Sequence, residues 1–376
     1  MAHPALARLT PFAACLAATL LLAGCEIGTA YRDPVSRTDA DMRAVIDAYI
    51  ASGAQPVHTL NVAEARTQPT LEAAYRSVAP FRAEAAMTVP TPVIVDGAAG
   101  PLAARLYDPA PGRRNEPVIL YFHGGLGVTG GGGADDAAAR ALALGAKAKV
   151  LSVDYRLAPE NPFPAAYDDA VAAYRWLQRN AATLGADPRR IAVAGEDAGG
   201  TLALNVAVAA RDSGLRPPVH LLLIDPMADM VEQTDSAVLN RYAVPLDRAD
   251  VAWSRNRLTR SEADRSDPRL DLVGSADLHR LPPVSIVISE MNPLGSEALI
   301  LADKLQASGV AVRPQLYAGT TFGFFGMGAT VERARQAQAF AAAELAGPFA
   351  QIASQEHAPR HATPAHRAHH RRPAPR

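Results

Sequence analysis

The chain predicts an α/β fold built on one central sheet, and three observations carry that reading. Short β-rich runs alternate with helical runs, the order that builds a sheet covered by helices. One junction is sharper than the rest: Arg190-Ile191-Ala192-Val193-Ala194 reads as a strand, Gly195-Glu196-Asp197-Ala198-Gly199 as a tight turn, and Thr201 to Arg211 as a helix. With 376 residues and 49% hydrophobic content, the chain has enough apolar side chain for one large buried core. Its formal net charge of -1 at pH 7 argues against a nucleic-acid partner.

The N-terminal segment stands ahead of the fold. After Arg8, the apolar run Phe12 to Leu22 is too short to span a bilayer as a mature helix and reads as a signal peptide. It ends in Leu22-Ala23-Gly24-Cys25, which resembles a bacterial lipoprotein box. That resemblance implies cleavage before Cys25 and lipidation of its thiol, an anchor in the bacterial cell envelope; an ordinary secretory leader is the alternative. Residues 1–24 are then a leader and 25–36 a tether. Of the two cysteines, Cys15 leaves with the leader, so no disulfide is expected. Glu26 follows the cysteine in place of the aspartate associated with inner-membrane retention, which leans the anchor towards the outer membrane.

Strands are expected at Thr91 to Asp96, Ala103 to Tyr107, Val118 to Phe122, Val150 to Asp154, Ile191 to Ala194, Leu221 to Ile224, Val284 to Ile288 and Arg313 to Tyr317. Ala170, Val171, Tyr174 and Leu177 recur at helical spacing before a stop at Gly185, as do Ala298, Leu301 and Leu305 before Gly309. Both stripes face a core. Residues 37–85 and 229–278 carry helical signals without strands. Residues 351–376, rich in His, Arg, Pro and Ala, lack periodic apolar positions and are expected to be disordered. Their histidines have no cysteine partner or fixed scaffold, so no metal site is assigned there.

Four ordered blocks carry the functional reading. Tyr121-Phe122-His123-Gly124-Gly125, Val153-Asp154-Tyr155-Arg156-Leu157-Ala158-Pro159-Glu160, Phe163-Pro164-Ala165-Ala166-Tyr167-Asp168-Asp169 and Gly195-Glu196-Asp197-Ala198-Gly199 follow one another at characteristic spacing. Together they resemble the hormone-sensitive-lipase-like bacterial esterases, whose pattern is His-Gly-Gly-Gly, Asp-Tyr-Arg-Leu-Ala-Pro-Glu and Gly-Asp-Ser-Ala-Gly-Gly. The resemblance implies an α/β-hydrolase fold over 37–350: a mostly parallel eight-stranded sheet, helices on both faces, and a helical cap formed by 37–85 and 229–278. No cofactor is implied.

The same resemblance locates three catalytic positions, and each carries a different residue here. Asp197 stands at the nucleophile elbow in place of serine. Asn292, in Ser289-Glu290-Met291-Asn292-Pro293-Leu294, stands in place of the acid, and Phe322 in place of the histidine. A serine needs a histidine to take its proton, and the acid fixes that histidine's tautomer. Phe322 can neither accept nor return a proton. The implied oxyanion hole comprises Gly124, Gly125, Leu126 and Ala198. Leu126 replaces a third glycine, and its Cβ restricts the positive-φ conformations glycine allows, so donor geometry is expected to suffer there. The glycines from Gly127 to Gly133 lack the lysine and hydroxyl of a phosphate cradle and read as a pocket-rim loop.

The ten histidines offer no ready replacement base. His3 lies in the leader, and His357, His361, His366, His369 and His370 in the tail. His220 and His279 precede strands, at the edge of the sheet opposite the catalytic face. His58 falls in the cap region, and His123 belongs to the oxyanion loop. Three functions remain open. One is a pseudoenzyme that binds a small acyl or ester-like ligand without turnover. Another is an ester hydrolase with chemistry rebuilt from Asp197, Glu290, Thr320 or Thr321. The third uses Asp197 as a nucleophile on alkyl halides or epoxides, as in related dehalogenases and epoxide hydrolases. An oxygen-rich metal pocket from Asp197, Asn292 and Asp135 or Asp136 is a weaker variant.

Overall fold

The computed structural model describes residues 34–79, 89–133, 136–230 and 233–357. The leader, Cys25 and most of the tail therefore lie outside the described residues, as do Asp135 and the Asp136 side chain.

Eight strands form one sheet: β1 Thr91–Asp96, β2 Pro101–Tyr107, β3 Glu116–Phe122, β4 Lys149–Val153, β5 Ala186–Glu196, β6 Leu221–Ile224, β7 Val284–Met291 and β8 Val312–Thr321. Their order is β1-β2-β4-β3-β5-β6-β7-β8. β2 pairs antiparallel with both β1 and β4, and every other neighbouring pair is parallel. This is the mostly parallel α/β-hydrolase sheet that the sequence predicts.

Helices cover both faces: α1 Ala40–Ala51, α2 Val62–Thr67, α3 Leu71–Val78, α4 Asp136–Ala146, α5 Ala165–Asn180, α6 Ala198–Asp212, α7 Asp235–Leu239, α8 Arg248–Leu258, α9 Glu262–Arg265, α10 Gly295–Ala307 and α11 Glu332–His357. Alternation along β3 divides the core between two layers. Val118, Leu120 and Phe122 join the apolar residues of α5, α6 and α10 on one face. Ile119 and Tyr121 join those of α1, α4 and α11 on the other. A strand buried on both sides is apolar throughout, which explains why these runs read so clearly in the sequence.

Two boundaries differ from expectation. Helix α11 continues through 351–357, where the sequence reading begins a disordered tail. Its apolar stripe of Ala334, Ala337, Ala341, Leu345 and Phe349 anchors the helix almost up to that point, and the last turns extend it. The expected tether also reaches structure, because Pro34–Arg37 forms a short 3-10 helix and the Arg37 guanidinium donates to Asn240 Oδ1. The two expected cap segments hold α1 to α3 and α7 to α9, and they touch. Trp253 Nε1 donates to the Leu60 carbonyl at 3.2 Å, and the His58 N–H donates to Asp250 Oδ1 at 2.9 Å.

Candidate functional site

Asp197, Asn292 and Phe322 follow parallel strands at their carboxyl ends, the edge where α/β sheets place their sites. β5 ends at Glu196, α6 begins at Ala198, and Asp197 sits between them with φ 50 and ψ -112. The turn admits no side chain at its glycines. A Cβ on Gly195 would lie 2.0 Å from the Gly199 carbonyl oxygen, and one on Gly199 would lie 2.1 Å from that of Phe122. A non-glycine residue in such a conformation costs about 1–3 kcal/mol and persists only when its surroundings hold it. Here the Asp197 N–H donates to the Ile224 carbonyl at 2.8 Å, tying the elbow to the neighbouring strand.

The Asp197 side chain turns onto the oxyanion loop. Its Oδ2 accepts the N–H of Gly125 at 2.8 Å and of Leu126 at 2.7 Å, and its Oδ1 accepts the N–H of Ala198 at the start of α6. These are the backbone donors that would receive the oxyanion of an acyl-transfer intermediate. The carboxylate therefore lies on the donors that the resemblance assigns to an oxyanion hole, and Asp197 is 0% exposed.

Two expectations about that loop need correction. Leu126 adopts φ 54 and still presents its N–H in line with the other donor. Its buried side chain packs into the core and holds the left-handed backbone that the Cβ disfavours. Gly124 is not one of the donors to Asp197: its carbonyl accepts from His123 Nδ1 at 2.7 Å, and its contribution is space. A Cβ at Gly124 would lie 3.3 Å from Asp197 Oδ2. His123 itself stacks on Tyr155 with ring centroids 4.3 Å apart, a structural placement within the oxyanion loop.

Asn292 is fully buried beyond the end of β7. Its Oδ1 accepts the Leu294 N–H at 2.9 Å, and its Nδ2, with no well-formed hydrogen bond, helps favour the charged form of Asp225. Asp225 directly follows β6 with φ 45 and is missed by the sequence reading. It accepts the Ser289 N–H and hydroxyl, each at 2.7 Å. Burial nevertheless pushes its carboxyl up to about 6, with Ser289 and Asn292 opposing the rise.

The proposed substitutes are occupied elsewhere. Thr320 Oγ1 donates to the Tyr317 carbonyl at 2.7 Å, Thr321 Oγ1 to the Met291 carbonyl at 3.1 Å, and Glu290 Oε2 accepts the Gly319 N–H at 2.8 Å. His220 lies at the opposite edge against Ser285, with burial pushing its imidazole down to about 4. In the cap, His58 Nδ1 lies 2.8 Å from Asp250 Oδ1 and 3.6 Å from Asp247 Oδ1. A group of one histidine and two aspartates has metal-ligand chemistry, but these carboxylates already accept backbone N–H groups in the capping box that starts α8.

Above the elbow lies a cavity of about 320 Å³, walled by Leu71, Tyr75, Trp253, Phe322 and Met327 with Gly124 to Leu126 at its base. Phe322 is therefore a wall of the pocket where the resemblance puts a base. A second residue missed by the sequence reading is Glu196, which lines the same cavity, is 7% exposed and accepts from the Tyr121 hydroxyl at 3.3 Å. The only sequence cue for it is that the esterase pattern has the shorter aspartate there.

Known proteins agree with this architecture. Residues 119–326 match the family described as the alpha/beta hydrolase fold. The chain belongs to that family. It is 44% identical over 218 residues to the carboxylesterase NlhH of Mycobacterium tuberculosis, a match covering 56% of this chain and 67% of that protein. It is 40% identical over 248 residues to the esterase LipI of the same organism, covering 65% and 77%. An esterase structure from Pyrobaculum calidifontis superposes with a TM-score of 0.71 at 31% identity, covering 82% of this chain and 98% of that one. These α/β-hydrolase relatives are named as esterases, which makes the carboxylate held by the Gly125, Leu126 and Ala198 N–H groups the feature to explain.

Proposed function

We propose that the chain is an envelope-anchored α/β-hydrolase that has become a pseudoenzyme, binding a small acyl or ester-like ligand without turning it over. The observation that carries this reading is the Asp197 carboxylate in the oxyanion hole. Three backbone N–H groups are spent on it, so an incoming ester carbonyl finds a negative group where it needs donors. Phe322 and Asn292 add the loss of base and acid. The relatives' names favour a working hydrolase instead, but Glu290, Thr320 and Thr321 are each committed to backbone partners. A nucleophilic Asp197 would need an exposed oxygen, whereas both of its oxygens are engaged and buried.

The anchoring part of the proposal rests on Leu22-Ala23-Gly24-Cys25 alone. Among the described residues, no helix is long and apolar enough to cross a membrane, so the lipid on Cys25 would be the attachment. Palmitate labelling in a bacterial host that is lost in Cys25→Ala supports it, and labelling that survives the substitution refutes it.

Covalent silence is tested by intact mass after exposure of the purified chain to a fluorophosphonate, an alkyl bromide and an epoxide. The expected spectrum shows no adduct on the elbow. A stoichiometric adduct on Asp197 would replace the binding reading with nucleophilic chemistry.

A further inference from the structure

The chain enters the fold at Pro34–Arg37, and two side-chain contacts fix the place. The Arg37 guanidinium donates to Asn240 Oδ1 and reaches Glu290 Oε1 at 3.5 Å. Asn240 is buried, but Val238, Leu239 and Tyr242 around it are exposed, Tyr242 by 60%. α7 carries Val238 and Leu239, and a reciprocal pair of hydrogen bonds binds it to α10. The Ser236 N–H donates to Ser296 Oγ at 2.9 Å, and the Ser296 N–H to Ser236 Oγ at 2.8 Å. Leu299 and Ile300 follow Ser296 at helical spacing on the same face and are exposed as well. These are five of the eleven large hydrophobic side chains exposed among the described residues, so they form a concentration where single exposed residues would be ordinary. Asp235 and Arg241 put both signs of charge beside the patch, so its character is apolar and not electrostatic.

What covers the patch follows from the tether. Cys25 stands nine positions before Pro34, and nine extended residues reach at most about 32 Å. A lipid on Cys25 holds this face within that distance of a bilayer, at a high effective concentration. Aliphatic side chains beside an exposed tyrosine suit the boundary between headgroups and acyl chains, where amphipathic rings gather. We infer that the face formed by α7, Tyr242 and the exposed side of α10 lies on the bilayer to which Cys25 anchors the chain. This rests on the anchoring reading above and adds an orientation to it. Pro245 and Leu246 follow Tyr242 closely and line the cavity, so the cavity lies beside the lipid surface.

The test uses the full chain, made in a bacterial host and reconstituted into vesicles of phosphatidylethanolamine and phosphatidylglycerol. With Cys15 lost and Cys25 capped, Tyr242→Cys and Ser213→Cys each offer one thiol for an environment-sensitive fluorophore. Ser213 is exposed and follows α6 at the opposite edge of the sheet. Phospholipid brominated in its acyl chains should quench the fluorophore in Tyr242→Cys at least twofold and leave that in Ser213→Cys unchanged. Adding Val238→Glu and Leu239→Glu to Tyr242→Cys should bring its quenching down to the Ser213→Cys level. Adding Leu316→Glu, exposed on β8, should not. Equal quenching of the two fluorophores, none in Tyr242→Cys, or quenching that survives both glutamates overturns the inference and leaves the anchor intact. Disulfide-linked dimers of unlabelled Tyr242→Cys, without quenching of the labelled chain, would assign the patch to a second copy and overturn it too. Fluorophore attached to the native chain would instead reveal a free Cys25 thiol, overturning the anchoring reading and the orientation with it.

Discussion

Asp197 and Asp225 directly follow neighbouring parallel strands, both at positive φ and both fully buried, yet their carboxylates are held in different ways. Asp197 closes on a ready-made cradle, three backbone N–H groups from the loop after β3 and the start of α6. Asp225 is held by the Ser289 N–H and hydroxyl with a smaller contribution from Asn292, and its carboxyl is pushed up to about 6 by burial. Three donors that the resemblance assigns to a transient oxyanion thus hold a permanent anion. On the proposed reading, a serine-to-aspartate change at the elbow would fill the hole with an anion its donors already suit. The carboxylate that arrives outside the cradle lacks that support.

Emptying the cradle and rebuilding the triad should give the largest effect. The variant Asp197→Ser, Asn292→Asp, Phe322→His should hydrolyse a short-chain nitrophenyl ester at least about 100-fold faster than the native chain, the lower range for a positioned general base. Asp197→Ser alone should gain far less, because Phe322 still offers no proton acceptor. If the triple variant stays silent while folded, the pocket has lost more than its three side chains.

The second carboxylate gives a stability effect with a defined sign. Below about pH 4, Asp225 is protonated in both folded and unfolded chains. Between about 4 and 6 the unfolded chain ionises first, so each pH unit costs about 1.4 kcal/mol, and above about 6 the full loss, at most about 3 kcal/mol, is present. Asp225→Asn keeps an acceptor and a donor for Ser289 and escapes this loss. It should be more stable than the native chain at pH 7, with the gap closing by pH 4, as read by denaturant melts at both values. A gap of the same size at the two pH values would remove the titration account.

The smallest effect concerns the loop. Leu126→Gly relieves a left-handed non-glycine residue, worth about 1–2 kcal/mol, but gives up a buried side chain worth about 1.5–3 kcal/mol. A net destabilisation of about 1 kcal/mol is expected in denaturant melts. A stabilised variant would mean that the Leu126 side chain contributes little to holding the donor in place.

The central strands were readable from the sequence because they are continuous apolar runs, Leu221–Ile224 agreeing to the residue, and the edge strand Thr91–Asp96 agrees as well. The start of β5 was not: Asp187-Pro188-Arg189-Arg190 is polar, and only pairing with β3 makes Ala186 the first strand residue. The strand-turn-helix at the elbow was visible as a local motif. What Asp197 touches was not, because its partners at Gly125 and Leu126 lie more than 70 residues away in the chain and depend on the turn of one side chain. Glu196 and Asp225 escaped for the same reason, since each looks like an ordinary residue after a strand until the fold surrounds it.

Steady-state hydrolysis of a short-chain nitrophenyl ester by the native chain, with Asp197→Ala measured beside it, is the most direct measure of what the carboxylate in the hole does. The expected result is no saturable turnover in the native chain, with at most a small non-saturating rate in Asp197→Ala, where the donors are released without a nucleophile. Saturable turnover by the native chain that Asp197→Ala abolishes would contradict the account and make Asp197 a working catalytic group.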